Sequence, residues 1–203
     1  MRMHGRVQKW RVQGWGAVCA LGFWWLLFGC AGPPGAPVQG GLVEVKTHRL
    51  TSVPFFPDDT DQCGPATLAG VLTYWGIQTD PAALRKKIYL PRLRGALSID
   101  LLLVAQDHGL RAESYQGSLA TVKAELDAGH PLVALLNLGY EFFPLGHYVV
   151  ITGYDDAQQG LYVHSGLERD VFLSYEHFLG AWEKTGRWTL LITPTKHQAR
   201  ADS

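Results

Sequence analysis

Residues 51–196 of this 203-residue chain predict one α+β domain, with an N-terminal helical part packed on a C-terminal antiparallel sheet. Three observations carry the expectation. Helical stretches opened by capping residues occupy positions 63 to 129. Apolar strand-like runs separated by Gly- and Asp-containing turns occupy positions 131 to 192. The composition, 47% hydrophobic and 18% charged, is ordinary for one globular domain with extensions.

The first helix is expected from Cys63 to about Trp75 and is apolar enough to be buried; Pro65 fits its first turn, where a missing N–H costs nothing. Asp80-Pro81 opens a second helix, with Asp80 as N-cap and Pro81 at the first helical position. Ser98-Ile99-Asp100 opens a third, which runs to His108 and is closed by Gly109. Ser118 caps a fourth, ending at Gly129. Strands are expected at 131–137 and 147–153, then at 161–164 after the turn Asp155-Asp156-Ala157-Gln158-Gln159-Gly160. A short helix at about 175–183 precedes a last strand at 187–192. There is no internal repeat.

The N-terminus reads as an export signal. Arg2, Arg6, Lys9 and Arg11 precede an uncharged stretch, residues 14–29, that is shorter than the roughly 20 apolar residues of a membrane span. Leu27-Phe28-Gly29-Cys30 resembles the bacterial lipoprotein signal. It implies residues 1–29 as signal peptide and Cys30 as the lipidated first residue of the mature protein. The other reading is a plain anchor helix with an incidental cysteine. Both put the domain outside the cytoplasm and at a membrane. With Cys30 lipidated and Ala31 after it, the expected location is the periplasmic side of the envelope, on the outer membrane. Residues 30–50, Gly- and Pro-rich through Gly41, are expected to form a tether; residues 197–203 form a tail.

Without the four N-terminal cations, 14 of the 18 basic residues face 18 acidic ones, a charge near −4. Such a balance excludes nucleic-acid binding, which requires a basic face. Of three cysteines, Cys19 lies in the signal and Cys30 is the lipid candidate, so Cys63 is the only thiol expected in the folded body and no disulfide framework is possible.

Cys63 opens an apolar helix. Unpaired backbone N–H groups and the positive end of the helix dipole favour thiolate there, which makes Cys63 a candidate nucleophile. The alternative is a buried structural cysteine. A nucleophilic thiol needs a base. Among the histidines, His48 and His197 lie at the ends of the domain, His108 and His130 at helix ends where they can cap carbonyls, and His177 in the short helix. His147 follows Pro144-Leu145-Gly146 and opens the most apolar strand, a position that can face a pocket; a half-exposed strand-end histidine is the alternative.

Taken together, Val53-Pro54-Phe55-Phe56-Pro57 with Gln62-Cys63-Gly64-Pro65-Ala66, and some 80 residues later Gly146-His147-Tyr148-Val149-Val150-Ile151-Thr152-Gly153-Tyr154-Asp155, resemble the double-glycine leader peptidase (bacteriocin-processing) family. Its members are papain-like cysteine peptidases. The resemblance covers roughly residues 51 to 193 and is closest to exported, lipoprotein-type members, on Asn137-Leu138-Gly139 and His164-Ser165-Gly166. It implies a papain-like fold, Cys63 as nucleophile, His147 as general base and acid, a thioester acyl-enzyme, a peptide or protein substrate, and no cofactor. No ligand motif relates Cys63, His147 and His164, so no metal is expected.

Two positions depart from the family pattern. Its oxyanion Gln, five or six residues before the cysteine, falls on Asp58 or Pro57 here. A carboxylate beside a developing oxyanion is repulsive, and one lost donor costs on the order of 100- to 1,000-fold in turnover. The backbone N–H of Cys63 remains a donor, with Gln62 or Asp58 as candidate helpers. The family's orienting Asp falls on Ser165, which can accept a hydrogen bond from the imidazole but brings no charge; an ordinary strand-end serine is the alternative. His164 is expected on the opposite sheet face from Ser165. The aromatic run at 140–143 can be packing or the rim of a substrate groove. Two functions therefore stand, an extracytoplasmic cysteine peptidase or amide hydrolase, and a binding module on an attenuated peptidase fold. A transporter-coupled leader peptidase is not expected beside an export signal.

Overall fold

A computed structural model of the chain describes residues 45–58, 61–140 and 142–195. The proposed signal peptide, Cys30, most of the tether and the C-terminal tail lie outside them.

Strands β1 (Thr47–Arg49), β2 (Arg111–Gln116), β3 (Leu132–Asn137), β4 (Gly146–Asp155), β5 (Gly160–Ser165), β6 (Glu168–Ser174) and β7 (Trp188–Thr193) form one sheet. Its order is β2-β7-β3-β4-β5-β6, and every pairing is antiparallel. Strand β4 is the spine. Its first half, Gly146 to Ile151, pairs with β3, and its far end, Gly153 to Asp155, pairs along the same edge with β1.

Helices α1 (Cys63–Tyr74), α2 (Pro81–Ile88) and α3 (Ser98–Asp107) cover one face, and α4 (Leu119–Asp127) and α5 (Tyr175–Glu183) the other. Leu68, Val71 and Leu72 of α1 with Leu84 and Leu101 pack on Val133, Tyr148, Val150 and Leu190. On the opposite face Val122, Leu126, Phe178 and Trp182 pack on Ala134, Leu136, Val149 and Ile151. Two covered faces explain why β3, β4 and β7 read as continuous apolar runs instead of alternating ones. Fully burying one such leucine contributes roughly 1.5–3 kcal/mol.

The caps of α2 and α4 act as their sequences imply, whereas α3 starts after Leu97 with no side-chain cap. Asp80 accepts the Ala83 N–H with Pro81 next to it, and Ser118 and Thr121 form a reciprocal capping box. Helix α1 is buried continuously from Gly64 to Leu72, which accounts for its lack of a polar face. It has no side-chain cap at Gln62 and is held instead by its surroundings.

Three strands were not expected from the sequence. Strands β2 and β6 are the sheet's edges, largely solvent-facing, so Arg111–Gln116 and Glu168–Ser174 carry charges where a central strand would be apolar. Strand β1 falls inside the segment assigned to the tether; the folded body therefore begins before residue 51. Three residues of exposed–intermediate–exposed pattern give no periodic signal, and their place is fixed by pairing with β4. The chain from Leu50 to Asp58 then runs as a strap across the sheet end toward α1. The strap passes so close to α1 that a Cβ at Gly70 would lie 2.8 Å from the Pro54 carbonyl oxygen.

Candidate active site

Cys63 is the first residue of α1, and α1 lies on the face of β4 that presents Tyr148 and Val150. Close approach at this point depends on Gly64, where a Cβ would lie 3.0 Å from that of Ala96. The thiol is half-buried. Burial pushes it up from its ordinary pKa, a hydrogen bond from the Tyr148 backbone pulls it down, and the nearby Asp58 charge pushes it up again. The net direction is upward. The helix start therefore does not make Cys63 a resting thiolate: desolvation of the charged form outweighs the backbone donors.

The Tyr148 amide that reaches the sulfur belongs to the residue after His147, so α1 is docked at the mouth of β4 where the imidazole stands. Cys63 and His147 line the same cleft, about 490 Å³ in volume, together with Tyr148, Leu97, Leu138 and Leu145. The His147 Nε2 and Ser165 Oγ lie 2.9 Å apart. With Nε2–H donating to that hydroxyl, the other ring nitrogen, Nδ1, is left as proton acceptor. Burial pushes the His147 pKa down and the Asp58 charge opposes it. The structure thus places Cys63 and His147 on one cleft and the Ser165 hydroxyl against the His147 ring.

A second, small recess of about 20 Å³ also reaches the sulfur and is bordered by Asp58, Cys63, Thr67, His164, Ser165 and Gly166, among others. Of the two candidate oxyanion helpers, Asp58 borders this recess. Gln62 is the N-cap residue of α1, and its backbone N–H donates to Asp58 Oδ2 at 3.1 Å. His164 keeps the strand's alternation: it stands opposite Val150 of β4, on the α1 face, whereas Val163 before it packs in the cluster on the other face, and both His164 and Ser165 border the recess at the strand's end.

His164 is nonetheless unsuited to serve as a base. Its Nδ1 accepts the Asp170 N–H at 3.2 Å and its Nε2 lies 3.1 Å from the Val53 carbonyl oxygen, so both ring nitrogens are engaged by backbone. The remaining described histidines are remote. His130 does not cap a carbonyl through its ring; Nδ1 is 2.7 Å from Glu125 Oε2. His48 lies in β1 beside the Tyr154 ring, His108 is the C-cap of α3, and His177 lies in α5. His197 is outside the described residues.

Two contributors were not foreseen. Tyr148 supplies the backbone donor to the sulfur and fixes the cleft wall through its hydroxyl, 2.8 Å from Ser98 Oγ. Its position after His147 and the strand's alternation could have placed it on the helix face. The segment Leu93–Leu97, which forms the far wall, carries no periodic signal. The aromatic run before β4 is exposed, with Tyr140 at 81%, Phe142 at 85% and Phe143 at 79%. Leu138 and Leu145 at its base line the cleft. Among the described residues no cluster of three or more His, Cys, Asp or Glu side chains could hold a metal.

Helices flanking an antiparallel sheet, with a cysteine at a helix start and a histidine at a strand mouth, define a papain-like α+β fold. The chain belongs to the Peptidase_C39 like family, which matches residues 48–190. Solved structures share this architecture. A putative C39-like peptidase from Bacillus anthracis is 22% identical with a TM-score of 0.61, over 74% of this chain and 98% of its own. A double glycine motif protease from an AMS/PCAT transporter, in complex with the leader peptide, is 24% identical with a TM-score of 0.57, over 73% and 99%. Xylellain, a cysteine protease from Xylella fastidiosa, is 14% identical with a TM-score of 0.55, over 75% and 87%. No curated protein matches the sequence.

Proposed function

We propose that this protein is a cysteine peptidase or amide hydrolase acting outside the cytoplasm. The observation that carries the reading is the single cleft shared by Cys63 and His147, with Ser165 behind the imidazole. The Cys63 thiol gives its proton to His147 as the sulfur attacks a substrate carbonyl carbon. The oxyanion so formed is met by the Cys63 backbone N–H at the start of α1. His147 then protonates the departing amine, leaving a thioester on Cys63. Water, deprotonated by His147, hydrolyses the thioester and restores the thiol. The substrate class is a peptide or protein. This agrees with family membership and with the leader peptide described in complex with the double glycine motif protease.

Lipidation of Cys30 would hold the domain at the periplasmic face of the outer membrane through residues 31–44. Acyl-chain labelling that persists in Cys30→Ser would remove the anchor from the proposal without touching the chemistry.

A second reading, a binding module on an attenuated fold, is favoured by one specific feature, the Asp58 carboxylate beside the sulfur where a donor would serve better. Peptide-library profiling of the purified protein beside Cys63→Ala separates the two. Hydrolysis by the native protein and its loss in Cys63→Ala is expected. Equal binding with no cleavage by either would give the second reading the site.

A further inference from the structure

We infer that Asp58 is the charged partner of the His147 imidazole, delivered by the strap that precedes the nucleophile instead of by the strand that follows the base. The inference rests on Cys63 and His147 being the reacting pair. Strand β5 ends at Ser165, whose hydroxyl fixes the direction of the imidazole but leaves the imidazolium formed during the reaction without a negative charge. Asp58 reaches the same place by a different route and is held at two points. Its backbone N–H donates to the Gly166 carbonyl at 2.9 Å, which ties the strap to the residue after Ser165. Its Oδ2 accepts the Gln62 N–H at 3.1 Å, which ties the carboxylate to the entry of α1. The left-handed backbone of Gly166, φ 58°, turns the chain back at this junction. These anchors place the carboxylate on the wall of the recess that also contains Cys63 and Ser165.

The other charged or titratable groups around the pair do not supply this charge. Asp61, on the cleft rim, is ion-paired with Arg94 at 2.8 Å. His164 from β5 is held by backbone at both nitrogens, and Tyr148 from β4 is hydrogen-bonded to Ser98. Cys63 from α1 is the reacting thiol. Through space the Asp58 charge favours the proton on His147 and disfavours its loss from Cys63. The two effects are not equal in consequence. The thiolate is consumed as the carbon–sulfur bond forms, whereas the imidazolium must persist until the leaving amine takes its proton. Asp58 is therefore a positioning residue that acts through His147.

The test uses the full chain in detergent micelles, with the ring signals of labelled His147 followed through a pH titration. Asp58→Asn is expected to lower the His147 midpoint, to reduce kcat/KM for a cleaved peptide about tenfold or more, and to leave alkylation of Cys63 by iodoacetamide unchanged or faster. Asp58→Glu is expected to restore both midpoint and turnover. An unmoved His147 midpoint in a folded Asp58→Asn protein overturns the inference. So does a rise in its kcat/KM, which would make the carboxylate a brake on the oxyanion. Loss of the fold in both variants, with Asp58→Glu failing to recover it, would leave Asp58 a strap anchor only and equally overturn it. If the native protein cleaves no peptide, the proposed activity fails, but the His147 midpoint still decides the Asp58 claim.

Discussion

Burial acts in opposite directions on the two side chains proposed to react. It pushes the Cys63 thiol up and the His147 imidazole down, and both shifts favour the neutral forms of the pair. This sets the pH dependence of the proposed hydrolysis. A neutral imidazole must accept the thiol proton, and a depressed pKa keeps it neutral further into acid. The acid limb of kcat/KM is therefore expected below the ordinary histidine value of about 6.5, and the basic limb above the ordinary cysteine value of about 8.5. Rate profiles from pH 4 to 10 check this; an acid limb above the ordinary histidine value would contradict it. At this scale the sequence was informative about identity and less so about state. Cys63 could be chosen from a helix start, and His147 from a strand mouth together with the family resemblance of the paired motifs. The direction of the thiol's shift could not, because it depends on how much protein covers the sulfur.

Helix α1 is positioned by contact on every side. Its sequence carries Gly64 and Gly70 at the two points where neighbours come nearest, the Ala96 loop and the Pro54 carbonyl. Gly70→Ala is the sharper probe, since a backbone carbonyl cannot move aside as a flexible side chain can. It should destabilise the fold by about 1–3 kcal/mol in urea unfolding, as overpacking does. It should also reduce turnover more than Cys63 alkylation, because the displaced strap carries Asp58. A Gly70→Ala protein of native stability would show that strap and helix are not in the contact described. The capped helices α2 and α4 were legible because caps are local chemistry. Strands β1, β2 and β6 were not. Edge strands keep a polar face toward solvent, and their membership in the sheet comes from a partner distant in sequence, as with Arg111 opposite Thr193.

Across the whole molecule, the strap, β5 and β6 are joined through His164. The buried ring accepts the Asp170 N–H and approaches the Val53 carbonyl, so it links three segments only while Nδ1 is unprotonated. Burial holds the pKa of His164, like that of His147, below its ordinary value. The unfolded chain then binds more protons than the folded one below about pH 6.5, so stability falls as pH drops through that range and is fully present above it. Urea unfolding at pH 7.5 and 5.5 should show the loss, and His164→Gln should lessen it. Equal loss in the variant would remove His164 from this role.

The sequence by itself determined the α+β class, the capped helices, the apolar central strands, and the helix start and strand mouth that bear Cys63 and His147. Each of these follows from interactions within a few residues or from a burial pattern written along one segment. Tertiary structure alone decided the two-faced covering of the sheet, the place of the edge strands, and the anchoring of Asp58 between the Gly166 carbonyl and the Gln62 N–H. Those depend on which distant segments exclude water from one another, a property that no single stretch of chain carries.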